Sequence, residues 1–176
     1  MKSRAELYTI LPPNPVVAEI GVAEGLFSRD ILKYWKASKL YSVDSWGKIA
    51  DQTGDGGFEN DWHEKNYQNA LSLLKEFGEK SVILRGISWE MAVHVPDESL
   101  DCLYHDCCHE YECVKKDLAV WLPKVKKGGV VAFHDYSNPR YGVKIACDEF
   151  AKEGGYKVEI IPEQGPDAGA WFRIEL

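Results

Sequence analysis

The chain has 176 residues, enough by the usual scaling for one domain, residues 1–176, with a core that needs no disulfide or metal staple. Its formal charge of −7 argues against a nucleic-acid binder, because non-specific affinity for phosphates comes from lysines and arginines. Five cysteines do not make the even framework of a small secreted scaffold, and no run of about 18 apolar residues offers a membrane span; with no secretory apolar region in the opening residues, a reduced cytoplasmic protein is the expectation.

Residues Val16–Gly25 read as a strand, a glycine turn and the start of a helix: an apolar run carrying Glu19, then Gly21 and Gly25, then an amphipathic stretch over Leu26–Trp35. Glycines there allow positive φ and leave room for a ligand against the backbone at the helix start. The next strand, Leu40–Val43, ends in Asp44, about 20 residues beyond the glycines, the offset at which ribose hydroxyls are gripped. An adenosine-containing ligand follows. The turn reads E-x-G-x-x-x-G rather than G-x-G-x-x-G, and the carboxylates of Glu19 and Glu24 disfavour a pyrophosphate, so a cationic ligand suits it better. A plain strand-to-helix turn with two glycines is the alternative.

Residues 45–61 form a long irregular stretch with Gly47, Gly54, Gly56 and Gly57, read as a lid loop over a substrate; a disordered insertion is the alternative. Helices are expected over Asn60–Phe77, Tyr111–Leu122 and Val143–Lys152, and strands over Val82–Leu84, Leu100–Tyr104, Val130–Phe133 and Val158–Ile161. Lys124, Lys126 and Lys127, before Gly128 and Gly129, are read as cations complementing a helix C-terminus. The alternation predicts a parallel α/β sheet. Only a short link joins Ile161 to a final run, Ala170–Leu176, which predicts an antiparallel last pair.

Asp106 stands at the end of one central strand and His134 and Asp135 at the end of the next, so the three converge on one crevice if those strands are adjacent. Two carboxylates and an imidazole suit a divalent metal; the alternative is that they cap loops, since adjacent residues at a strand end normally diverge. His109, near the same cleft, is the side chain best suited to accept a proton near neutral pH, or else a satisfied histidine at a helix start. A zinc reading of Cys102, Cys107, Cys108, His109 and Cys113 lacks any C-x-x-C pair, and buried or cleft thiols are the simpler reading. His63, His94 and His105 show no comparable constellation, while Trp46 and Trp62 flank the proposed lid and could cover an organic substrate.

The E-x-G-x-x-x-G turn resembles the first motif of class I S-adenosylmethionine-dependent methyltransferases. The block Ser99–Tyr136, with Asp106, His109, Tyr111, Val114, Asp117-Leu118, Trp121, Pro123, Gly128-Gly129 and His134-Asp135-Tyr136, is similar to the signature of the type 24 methyltransferase family, related to sugar and catechol O-methyltransferases. Agreement extends to Gly86-Ile87-Ser88 and to Tyr141–Phe150, and covers roughly residues 15 to 176. One departure stands out: Cys107 and Cys108 replace the family's usual glycine and acidic residue.

The resemblance implies a Rossmann-like α/β fold: a mostly parallel seven-stranded sheet, an antiparallel last strand, and helices on both faces. It implies S-adenosylmethionine bound by Glu19, Gly21, Gly25, Asp44, Ser88, Trp89 and Asp106, with Ser88 and Trp89 beside the adenine. It further implies methyl transfer to a small-molecule hydroxyl (sugar, phenol or natural product), with Asp106 and His109 catalytic and a divalent cation such as Mg2+ on Asp106, His134 and Asp135. The expected partner is a small-molecule acceptor, with no nucleic acid and no membrane; a homodimer is left open. A non-catalytic module that keeps the nucleoside pocket is the competing reading, and a dinucleotide oxidoreductase is disfavoured by the glycine spacing.

Overall fold

The computed structural model describes residues 3–47, 59–161 and 168–175. After a 3-10 helix over Arg4–Ile10, strands β1 (Val16–Ile20), β2 (Lys39–Asp44), β3 (Ser81–Arg85), β4 (Leu100–His105) and β5 (Val125–Phe133) alternate with helices α1 (Leu26–Lys33), α2 (Asn60–Leu74), α3 (Ser88–Met91) and α4 (Tyr111–Trp121). Helix α5 (Val143–Gly154) and strands β6 (Glu159–Ile160) and β7 (Ala170–Arg173) close the fold. The seven strands form one sheet in the order β3-β2-β1-β4-β5-β7-β6. Neighbours from β3 to β5 pair in parallel, whereas β7 runs antiparallel to both β5 and β6. The expected antiparallel last pair is present.

Alternation along the strands divides the core between the two faces of the sheet. Ala18, Ile20, Val43, Leu103, Val131 and Phe133 pack on one face, with Val114, Leu118 and Trp121 of α4 and Ala146 and Cys147 of α5. Val17, Leu40, Cys102, Tyr104, Val130 and Ala132 pack on the other, with Ile31 and Leu32 of α1, Leu74 of α2 and Leu7 of the N-terminal 3-10 helix. The central strands β1, β4 and β5 therefore bury apolar residues on both faces, as parallel strands covered on both sides do.

Several boundaries differ from the expectation. Helix α2 ends at Leu74 and continues as a 3-10 helix over Lys75–Lys80, and α1 ends at Lys33, before Trp35. The lysine cluster straddles a boundary: Lys124 closes the 3-10 turn Leu122–Lys124, which carries Pro123 and follows α4 after Trp121, whereas Lys126, Lys127, Gly128 and Gly129 lie inside β5. Lys124 pairs with Asp97 at 2.6 Å, and Lys126 with Asp101 at 2.8 Å. Of the expected lid, residues 48–58 lie outside the described residues.

Strand order reverses between the parallel neighbours β1 and β4: from β1 the chain steps outward to β2 and β3 on one side, and from β4 to β5 on the other. Their carboxyl ends open a crevice there, the usual place for a ligand in an open α/β sheet.

Candidate active site

At the end of β1 the chain must bend under the end of β4. Gly21 adopts φ +91°, and a Cβ at this position would lie 2.0 Å from the carbonyl oxygen of Asp106, so only glycine fits. Backbone bonds lace the strand ends together: Gly21 N–H donates to Val43 O at 2.8 Å, and Asp106 N–H to Ile20 O at 2.7 Å. Gly25, at φ +82°, precedes α1 and lets Ala70 of α2 approach closely.

Asp44 holds this turn in shape. Its Oδ2 accepts from the backbone N–H of Val22 at 2.9 Å and of Ala23 at 3.0 Å, and its Oδ1 from Trp46 N–H at 2.8 Å. A carboxylate has about four acceptor sites, so one remains for a ligand hydroxyl. Glu19 is fully buried: Ser28 Oγ donates to its Oε2, and Ser28 lies 3.0 Å from Ser42 Oγ, which ties β1 to α1 and β2. Burial pushes the Glu19 carboxyl up to about 8, against the Ser28 hydrogen bond that favours ionisation. Burial thus favours its neutral form, and Asp44 and Glu24 are the other carboxyl side chains that line the cavity at this turn.

Across the crevice Asp106, His134 and Asp135 come together, with donor atoms all within 4.8 Å of one another. His134 and Asp135 are adjacent at a strand end, where side chains normally diverge. Asp135 resolves this by adopting φ +57°, a left-handed conformation uncommon outside glycine and typical of strained functional positions. That backbone turns its carboxylate back, placing Oδ2 2.7 Å from His134 Nδ1 and 2.9 Å from His109 Nε2. The His109 contact has the length of an ion pair without the alignment of a hydrogen bond. The His109 ring lies flat on Tyr141, with centroids 4.3 Å apart.

Burial raises the Asp135 carboxyl, but the hydrogen bond with His134, the close contact with His109 and the charge of both rings outweigh it, holding Asp135 well below the usual carboxylate range. Asp106 moves the other way: burial dominates, and His134 and Arg4 offset it only in part. For His134 burial favours the neutral ring, yet the hydrogen bond with Asp135 and the charge of Asp106 carry the group above its ordinary value. Arg4 was not expected at the site. Its Nη1 reaches Asp106 Oδ2 at 3.1 Å and its guanidinium lies over Phe27 at 4.8 Å. Nothing in the sequence couples positions 102 residues apart.

A second polar network lies on the α4 side. Ser88 Oγ donates to Asp117 Oδ1 at 2.6 Å and accepts from Trp121 Nε1 at 3.1 Å, while His105 Nε2 and Cys107 Sγ approach Asp117 Oδ2 at 3.1 and 3.3 Å. His105 thus has a constellation that the sequence did not reveal, because Asp117 reaches it from the second turn of α4. Burial, with Asp117 beside it, keeps Cys107 a thiol. His105, Cys107 and Asp117 could also hold a metal by distance, but each already satisfies another. Trp89 lies beneath Lys116 Nζ at 3.9 Å. Trp46, which together with Trp62 lines the cavity at this crevice, is nearly buried at 1% exposed, with its ring 5.0 Å from Tyr67 and its Nε1 donating to Ala23 O. Trp62 is 37% exposed.

One cavity of about 1290 Å³ joins these parts; Glu19, Gly21, Asp44, Ser88, Trp89 and Asp106 all line it, as do His109, His134 and Asp135. Gly25 is the one expected site residue absent from that lining, set back against α2. The volume exceeds the usual 300–1,000 Å³ of a single-ligand pocket, leaving room for a nucleoside-sized molecule and a second reactant.

A family model described as a methyltransferase domain, type 24, matches residues 18–136, from β1 through the end of β5 and the His134-Asp135 pair. The chain belongs to this methyltransferase family. Among curated proteins, y4gI of Sinorhizobium fredii (strain NBRC 101917 / NGR234), an uncharacterised protein, is 31% identical over 111 residues, which is 62% of this chain and 11% of y4gI; the chain spans about a tenth of that relative. Among solved structures, the O-methyltransferase NovP superposes with a TM-score of 0.67 over 98% of this chain and 76% of NovP at 22% identity. The calicheamicin methyltransferase CalS11 does so with a TM-score of 0.70 over 96% of this chain and 75% of CalS11 at 18% identity. At these identities the structural likeness is one of fold.

Proposed function

We propose that this methyltransferase domain transfers a methyl group from S-adenosylmethionine to a hydroxyl of a small organic acceptor. The observation that carries the reading is that the glycine turn with Asp44 and the Asp106–His109–His134–Asp135 cluster line the same cavity. When bound, S-adenosylmethionine supplies an electrophilic methyl on a cationic sulfonium. Asp44 and Glu24 put carboxylates on the walls facing it, in keeping with a cationic ligand. NovP and CalS11, whose names describe an O-methyltransferase and a calicheamicin methyltransferase, support an acceptor of the same broad class. The net charge of −7 disfavours a nucleic acid in that role.

His109 acts as the general base. Asp135 holds its Nε2 at 2.9 Å and Tyr141 fixes the ring plane, so Nδ1 is the atom that takes the acceptor proton. Asp106, His134 and Asp135 offer two carboxylates and an imidazole within 4.8 Å, a donor set that fits a divalent cation such as Mg2+ or Mn2+. Bound there, the cation would polarise the acceptor hydroxyl. Arg4 already places a positive charge against Asp106, which favours the competing metal-free arrangement.

The experiment is methyl transfer to a panel of sugar, phenol and natural-product hydroxyls, with and without chelator. Turnover abolished by chelation and restored by Mg2+ or Mn2+ supports the cation; full turnover in chelator eliminates it. With any acceptor that turns over, His109→Ala should lower kcat by about 10²–10⁴-fold while leaving S-adenosylhomocysteine affinity nearly unchanged. A variant that keeps its rate would move the base elsewhere. Binding of S-adenosylhomocysteine with no acceptor turned over across the panel would favour the non-catalytic module.

A further inference from the structure

We propose that His63 and Asn66 of α2 form a second half of the nucleoside subsite, binding the ribose diol together with Asp44. The proposal rests on the reading of the cavity as an S-adenosylmethionine site.

The buried stripe of α2 runs His63, Asn66, Ala70, Leu74. Such a stripe is normally apolar throughout. Here its C-terminal half obeys that rule, Leu74 packing into the sheet-face core and Ala70 on Val22 and Trp46, while its N-terminal half, which reaches the cavity, is polar. His63 is 5% and Asn66 2% exposed, yet neither His63 Nε2 nor Asn66 Nδ2 has a hydrogen-bond partner among the described residues. Buried polar atoms without partners are rare in folded proteins, and each one costs free energy unless something supplies the missing bond. Residues three apart share one helix face, and both of these line the cavity.

What they face is set by how α2 is fastened. Ala70 lies against Gly25 of the turn, and the Tyr67 ring packs, tilted by 51°, 5.0 Å from that of Trp46, whose backbone N–H is held by Asp44 and whose Nε1 donates to Ala23 O. The polar end of α2 is thus tied to Asp44 and the glycine turn rather than to the His109–Asp135 cluster. Asp44 spends three of its acceptor sites on backbone N–H groups, so it can accept only about one hydroxyl. A vicinal diol has two. Asn66 Nδ2, a donor, suits a ribose oxygen, and His63 Nε2 donates or accepts according to tautomer.

The test is calorimetry with S-adenosylhomocysteine and its 2′-deoxy and 3′-deoxy counterparts on wild type, His63→Ala and Asn66→Ala. Each variant should bind S-adenosylhomocysteine about 5–10-fold more weakly. With the deoxy ligand lacking its partner hydroxyl, variant and wild type should agree within about twofold, the signature of a direct contact. Ligand-free thermal stability should hold or rise, because an unpaired buried polar atom is removed; a merely structural residue would lower it. Equal losses on intact and deoxy ligands, or no loss at all, overturn the proposal. Unchanged S-adenosylhomocysteine affinity with a raised acceptor KM also overturns it and gives the pair to the acceptor. Wild type failing to bind S-adenosylhomocysteine overturns the functional reading and this proposal with it, whereas wild-type binding with unaffected variants overturns the proposal alone.

Discussion

Asp44 carries two roles whose separation is measurable. Its carboxylate accepts three backbone N–H bonds from the turn, so Asp44→Ala should weaken S-adenosylhomocysteine more than tenfold and also destabilise the ligand-free protein by about 2–4 kcal/mol. Calorimetry alongside urea unfolding checks both; loss of affinity with unchanged stability would show that the turn does not depend on this carboxylate. Glu19 makes a different prediction. Its folded value, about 8, lies above the ordinary 4.5, so the stability held by the neutral carboxyl is complete below about pH 4.5 and is lost as pH rises toward 8. Glu19→Gln should flatten that decline, gaining on wild type at pH 8 and matching it near pH 4. Parallel unfolding curves across that range would mean that Glu19 is ionised in the folded protein.

The decisive element is the β1 strand with its turn and α1. The chirality of the chain makes a side chain at positive φ cost about 1–2 kcal/mol, a cost common to any substitution at Gly21 or Gly25. Space distinguishes them: a Cβ would sit 2.0 Å from a backbone oxygen at Gly21, but 3.2 Å from the nearest atom, Ala70 Cα, at Gly25. Gly21→Ala should therefore cost more than about 3 kcal/mol, against about 1–2 kcal/mol for Gly25→Ala. Urea unfolding of both variants decides, and equal losses would mean that backbone conformation alone sets the requirement. Elsewhere the element ends were the hardest part to read. Lys124 to Gly129 looked like a helix terminus by composition, but Lys124 answers Asp97 and Lys126 answers Asp101 near the start of β4, contacts without a local signature.

At the scale of the molecule, the crevice at the strand-order reversal couples ligand binding to stability. A ligand present at 100 times its dissociation constant adds about 2.7 kcal/mol to the folded state, which for a domain of this size is an increase in Tm of roughly 5–11 °C. S-adenosylhomocysteine should produce that shift and NADH should not, as a dye-based melt would show. A shift with NADH alone would restore the dinucleotide reading that the glycine spacing disfavours.

The sequence by itself determined the α/β class, the strand sequence through β5, the antiparallel last pair, and the residues of the turn. These rest on local periodicity, glycine placement and the length of connections, all properties of neighbouring residues. It also placed Asp106, His134 and Asp135 at strand ends, and the resemblance of its motifs pointed to the family that the match over residues 18–136 establishes. Tertiary structure alone decided what those side chains do to one another. The left-handed turn at Asp135 brings its carboxylate to His134 and His109, Arg4 reaches Asp106 from the other end of the chain, and Asp117 reaches His105 from α4. The unpartnered His63 and Asn66 were silent for the same reason: whether a buried polar atom is satisfied depends on packing between elements far apart in sequence, which no local pattern records.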